Sequence, residues 1–338
     1  MEVKKFSVGF DFYGVTAVIS SESQDIIDGL RRDFGFFERS GIEEGVKIWC
    51  YLGEVEYDGL GGFKAVGYGK DSISFASGES KIVDYRGKAL SIYDFSTESG
   101  KLISPDPARL YELSYLLLLS RVGELLDLKG MHRVHGFAIN AGSDGVLALL
   151  PEGCGKTTLF TSIIGLNGIQ ALSDDTPLIK GDMLFAFPTR ISMCKSDSKD
   201  IPSKHKRKFI RTDRQTKYLV NLDYFSPTIS DPVKLKRLVI CERNLSQDAS
   251  INKASRLRAI WPLTRDMVFG LGVPQLVEHF LRNTPEDTLK KAAILIRRIW
   301  TALRAICSSQ TYMFKMGLNK EVNARVLSDF LSKIDARI

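Results

Sequence analysis

VLALLPEGCGKTTLFTSI, residues 146–163, is the stretch that decides how this chain is read. The unbroken apolar run up to Leu150 is a buried strand by composition, and TLFTSII has the character of a helix. Between them, Gly153 and Gly155 give the backbone dihedrals that other residues avoid, so that successive N–H groups point inward as an anion nest. Lys156 adds a positive charge there, and Thr157 adds a hydroxyl at the positive end of the following helix. This is the phosphate-loop pattern G-x-x-x-x-G-K-[ST] with Leu150 in place of the first glycine. On this reading Gly153, Cys154, Gly155, Lys156, Thr157 and Thr158 line the phosphates of a nucleotide, and Lys156 reaches the β- and γ-phosphates. Taken alone, the segment also reads as a structural glycine turn. The strand before it and the helix after it favour the nucleotide, although Glu152 brings a carboxylate close to the phosphates.

Downstream, QALSDD supplies the next strand and ends on Asp174 and Asp175. Strand, Gly-rich turn, helix and strand is the order of a nucleotide-binding βαβ unit. Where a strand ends and the backbone turns, two adjacent carboxylates can face one centre. One then holds Mg²⁺ together with Thr157, and the other accepts the proton of an attacking hydroxyl. The plainer reading has the acids capping a turn before Pro177. Upstream, His135 lies on the strand-like segment VHGFAINA, in range of a phosphate role or a purely structural one. Arg190, in FPTRI, is a candidate for neutralising transferred charge, or a surface arginine beside a proline turn.

HGFAINAGSDGVLALLPEGCGKTTL followed by ALSDD resembles the HPr kinase/phosphorylase superfamily and its smaller HPr-kinase-related members, and is similar to phosphoenolpyruvate carboxykinases at the same loop. The likeness covers about residues 131–191, with a looser match at the YMFKMG strand. It implies an α/β P-loop kinase domain with a mixed sheet, and an ATP- and Mg²⁺-dependent enzyme that phosphorylates a serine of a protein or peptide. By the match, those duties fall on Lys156, Thr157, Asp174, Asp175 and His135. The chain departs from the family at Leu150 and Glu152, where Gly and Ser are usual, and lacks the arginine-led second signature that grips HPr. Alternatives of a different class are a nucleotide sensor without transfer activity and a small-molecule phosphotransferase or carboxykinase-like enzyme.

Outside this core, residues 1–105 are expected to form an α+β domain and residues 106–338 the P-loop domain with C-terminal helices. FSVGFDFYGVTAVIS alternates as a strand, SQDIIDGLRRDFGFF has helical spacing, and KIWCYLGEV resumes the period of two. SPDPARLYELSYLLLLSRVGELLDLKG is a helix opened by proline and closed by Gly130. LKRLVICER reads as a strand, residues 275–309 as an amphipathic helical stretch, TYMFKMG as a strand and NKEVNARVLSDFLSKI as a last helix.

A chain of 338 residues with 44% hydrophobic and 26% charged residues has the means to bury a full core. Its start lacks the apolar stretch of a secretory signal, and charges interrupt the Leu110–Leu128 run, so neither export nor a membrane partner is expected. Five scattered cysteines without a C-x-x-C pair suit a reducing cytoplasm and provide no zinc site. The net charge of +7 is concentrated between Lys195 and Lys217, which hold nine Lys or Arg against three Asp. With only Phe209 and Tyr218 for stacking, this run points away from nucleic acid and toward a solvated loop, or an element contacting the peptide substrate. Oligomeric state is left open, a homo-oligomer included.

Overall fold

The computed structural model describes residues 4–335 except 152, 211–215, 226, 280, 281 and 283, so Glu152 and the centre of the basic run lie outside the described residues. The protein is of mixed α/β class. Its chain forms two compact units, one of residues 1–126, 209–217 and 274–291, the other of residues 127–208, 218–273 and 292–338. Where the sequence suggested a break at residue 105, this grouping keeps residues 106–126 and two later segments with the first unit.

The first unit is built on strands β1 (Phe6–Phe12), β2 (Val15–Ser21), β3 (Val46–Leu52), β4 (Lys64–Tyr68), β5 (Ile73–Ser77), β6 (Ser80–Asp84), β7 (Leu90–Asp94) and β8 (Ser99–Ser104). They form one sheet in the order β1-β2-β3-β8-β7-β6-β5-β4, parallel only at β2-β3 and β3-β8. The single strand expected over residues 6–20 is a hairpin. Its alternation continues through Tyr13 and Gly14, but both have positive φ, 55° and 79°, which is how a two-residue turn reverses twisted strands. Helix α1 (Gln24–Phe34) buries Ile26, Ile27, Leu30 and Phe34, and Phe34 packs edge-on against Phe10 and Phe12. Helix α2 (Pro107–Leu128) carries buried Glu112, Arg121, Glu124 and Asp127. Among the described residues no helix is long and apolar enough to cross a membrane.

The second unit holds β9 (His132–Arg133), β10 (Phe137–Ala141), β11 (Asp144–Leu149), α3 (Lys156–Ile163), β12 (Ile169–Ser173), β13 (Leu178–Lys180) and β14 (Met183–Phe185). It continues through β15 (Ile191–Met193), β16 (Lys206–Ile210), β17 (Thr216–Val220), β18 (Val233–Arg243), β19 (Ser250–Lys253), α4 (Ile260–Leu263), α5 (Pro285–Ser308), β20 (Gln310–Met316) and α6 (Lys320–Asp335), although the end of β16 and the start of β17 group with the first unit. α5 starts at Pro285, later than the helical stretch expected from residue 275, and its first residues belong to the first unit. The central strands β11, β18 and β20 are parallel. β10 lies antiparallel between β11 and β12, so the β11-α3-β12 crossover steps over one strand. β14, β13 and β9 extend from the first half of β18, while β15, β17 and β16 make a separate small sheet.

Continuous apolarity in β11 has a direct cause, because both faces of this sheet are covered. Val146, Ala148 and Leu150 enter one core with α3 and α6, and Leu147 and Leu149 enter another with residues 259–268 and α5. Each fully buried aliphatic of this kind contributes about 1.5–3 kcal/mol. Leu150, fully buried, is therefore a core residue, which explains the departure from the phosphate-loop pattern at its first position.

Candidate functional site

The loop after β11 ends with Gly153 at φ 75° and Gly155 at φ 87°, and α3 begins at the next residue. Such left-handed dihedrals turn the chain sharply enough to set the first N–H groups of α3, which have no intrahelical acceptor, around one point. That point is also the positive end of the helix dipole. Lys156 and Thr157, the first two residues of α3, start from it.

Across from α3, β12 stops at Ser173, whose hydroxyl donates to the Phe187 carbonyl and accepts from the Thr176 N–H. This turn presents the acid pair. The Thr157 hydroxyl donates to Asp174 Oδ2 at 3.2 Å, while Asp174 Oδ1 is buried with no hydrogen-bond partner. Burial, and after it the charge of Asp175, push the Asp174 carboxyl up to about 7, against the opposing pull of Lys156 and the Thr157 hydroxyl. Asp175 is less enclosed. It accepts from the Lys156 ammonium, and one of its oxygens lies 3.5 Å from His135 Nδ1. Lys156 Nζ sits 3.2 and 3.1 Å from the two ring nitrogens of His135. The backbone fixes this meeting, since the Gly136 N–H donates to the Asp175 carbonyl and the Val134 N–H to that of Pro177.

Five residues picked from the sequence, Lys156, Thr157, Asp174, Asp175 and His135, thus form one cluster. The rest fall beside it. Thr158 donates to Asp197 Oδ2 at 2.5 Å, and Cys154 packs on the core under α3. Arg190 immediately precedes β15, a strand that packs against α3. The described part of the basic run is β16, β17 and a turn whose Asp197 also pairs with Lys320 at 2.7 Å. Burial acts to raise the Asp197 carboxyl, but hydrogen bonds from Lys320, Thr158 and Ser196 outweigh it and bring it down to about 2.

Sequence reading missed three neighbours of the site. Arg243, at the end of β18, donates to the Cys154 carbonyl at 3.3 Å. A charged residue at the carboxyl end of a strand parallel to the loop strand was the available signal. Arg265, held by both oxygens of Asp266 at 2.6 and 2.7 Å, lies within electrostatic reach of Cys154. Gly272, at φ 85°, lies so close to His135 that a Cβ there would stand 2.7 Å from the ring. Gly272→Ala is expected to displace His135 from Lys156 and to cost about 1–2 kcal/mol for the left-handed backbone alone. A melting temperature lower by a few degrees together with reduced activity checks it.

Mg²⁺ commonly takes one or two protein carboxylates and completes its shell with phosphate oxygens and water. Thr157 and the unpartnered Oδ1 of Asp174 fit such a role. Among the described residues no group of three or more His, Cys, Asp or Glu gathers. Without metal, Asp174 strains the fold in a pH-dependent way. Well below pH 3.8 it is protonated in both folded and unfolded chains and costs nothing; the cost grows between 3.8 and about 7 and is complete above that. At ~1.4 kcal/mol per pH unit the full cost is about 4 kcal/mol. Asp174→Asn is therefore expected to melt several degrees above the parent at pH 8 in metal-free buffer and nearly together with it at pH 4. Thermal scans across that range test the sign.

No protein-family model matches the chain, and a search of the curated proteins found no match.

Proposed function

We propose that the protein is an ATP- and Mg²⁺-dependent kinase with a P-loop fold of the HPr kinase type, transferring the γ-phosphate to a hydroxyl, in the first instance a serine of a protein or peptide. The observation that carries this reading is the contact of Lys156, on the loop, with Asp175 and His135, while its neighbour Thr157 bonds Asp174. A glycine turn with no chemistry has no need to gather an ammonium, two carboxylates and an imidazole at a helix N-terminus.

Roles divide by environment. Asp174, enclosed and bonded to Thr157, would hold Mg²⁺, which when bound supplies neutralisation of phosphate charge. Asp175, more open, would act as base. Phosphates entering the loop compete for Lys156 and release Asp175 from it. Asp175 then takes the proton of the acceptor hydroxyl as its oxygen bonds to the γ-phosphorus and the bond from that phosphorus to the bridging oxygen of the leaving ADP breaks. Arg243 and Arg265 stand near the loop as further positive charge for the transferred group.

Incubating the protein with γ-labelled ATP, Mg²⁺ and lysate tests the reading. Label on polypeptide is expected. Label in a metabolite fraction alone indicates the small-molecule alternative, and nucleotide binding without any transfer indicates a sensor.

A further inference from the structure

Two helical segments lie over the same face of the second unit's sheet, with Ala259 and Leu263 of one and Ala302, Ala305 and Ile306 of the other in a single core cluster. Their outward sides are apolar. Residues 256–263 expose Leu257, Ile260 and Trp261, and α5 from Ala292 onward exposes Leu295, Ile296, Ile299, Trp300 and Leu303. Trp261 is 67% exposed, Trp300 68% and Leu257 73%. The sequence has three tryptophans, so two of them stand in water on this one face. Together these side chains present apolar surface on the order of several hundred Å², the size at which a patch on a monomer marks an interaction site.

Charge decides what the patch suits. Exposed Arg256, Arg258, Arg297 and Arg304 border it, and neither residues 256–263 nor residues 292–308 contain a single Asp or Glu. Arg304 reaches back to Asp182 at 3.3 Å and Arg297 donates to the Leu128 carbonyl at 2.9 Å, while Arg256 and Arg258 have no carboxylate on either segment to meet. A second copy docked on the same face would set arginines against arginines. Tryptophan and aliphatic side chains on one side of a helix, with arginines and no acid on the helix itself, are what a helix lying in the plane of an anionic bilayer presents. The 17 residues from Ala292 to Ser308 span roughly 25 Å at ~1.5 Å per residue, ample for a helix lying flat on such a surface.

We infer that this face is a docking surface for an anionic lipid membrane, on which the protein sits peripherally without spanning it. Hydropathy along the sequence detects spans only, which is why the expectation of no membrane partner did not register it. The inference is independent of the kinase reading.

Co-sedimentation with vesicles of phosphatidylcholine alone, and of phosphatidylcholine with about one third phosphatidylserine, tests it. Binding is expected only to the anionic vesicles, with a blue shift of tryptophan emission and a loss of about tenfold or more when NaCl is raised to about 0.5 M. The double variant Trp261→Ala/Trp300→Ala and the double variant Arg256→Glu/Arg258→Glu are each expected to weaken binding at least ~10-fold. All four positions are exposed, so the melting temperature should stay at the parent value, and it controls for misfolding. No binding to anionic vesicles, equal binding to both compositions, or self-association of the parent that the tryptophan variant abolishes without any lipid binding would each overturn the inference.

Discussion

Lys156→Ala should lower γ-phosphoryl transfer about 1000-fold, equivalent to about 4 kcal/mol of transition-state stabilisation. Its ammonium is enclosed at the start of α3, in contact with Asp175 and His135, and on the proposed reading it would meet the phosphate oxygens as charge builds on them. No other residue of the loop carries positive charge, and Arg243 approaches it through the Cys154 carbonyl. Removing Lys156 also removes the cation that counteracts burial at Asp174, so that carboxyl should rise further. Nucleotide affinity falls with the rate. Single-turnover rates and calorimetric titration with MgATP measure both losses; a variant with parental turnover removes Lys156 from the mechanism.

Asp175→Asn should divide the two parameters differently. The amide keeps the size of the side chain but cannot accept the hydroxyl proton, and general-base removal costs about 100- to 10,000-fold in kcat. Lys156 at the same time loses its carboxylate competitor, so MgATP should bind as tightly as in the parent or more tightly. A large fall in kcat with Kd for nucleotide unchanged or lower is the expected signature. A fall in affinity with kcat preserved would assign Asp175 to nucleotide or metal binding instead.

Residues 132–175 were legible because each piece carries a local signal. The apolar run of β11, the two glycines, the Lys-Thr pair and the double acid after β12 report their own conformation or chemistry, and the chain between them is short. Even there, the partnering of strands was not visible. β12 pairs with β10 and not with the loop strand, a choice made by long-range packing that no local pattern encodes. Leu150 looked like a defect when set against a consensus, and became a core residue once the alternation of β11 into two cores was known. Tyr13 and Gly14 escaped notice because alternation passes through a two-residue turn without losing phase. Arg243, Arg265, Gly272 and Asp197 reach the site from 39 to 116 positions away in the chain, counting from Thr158 to Asp197 and from Lys156 to Gly272. Their relation to it exists only in three dimensions.

The inequality of the acid pair came from the structure. Sequence placed both carboxylates at one centre and left their duties interchangeable. Burial of Asp174 with one oxygen unpartnered, against the contact of Asp175 with an ammonium, makes them chemically unequal.

The most direct measurement is a crystal structure of the protein with Mg²⁺ and a non-hydrolysable ATP analogue. The account predicts a triphosphate wrapped by the amides of residues 153–157, the metal on Thr157 and Asp174, and Asp175 facing open space in line with the γ-phosphorus. Nucleotide bound elsewhere, with the loop empty and Lys156 still closed on Asp175, would contradict it.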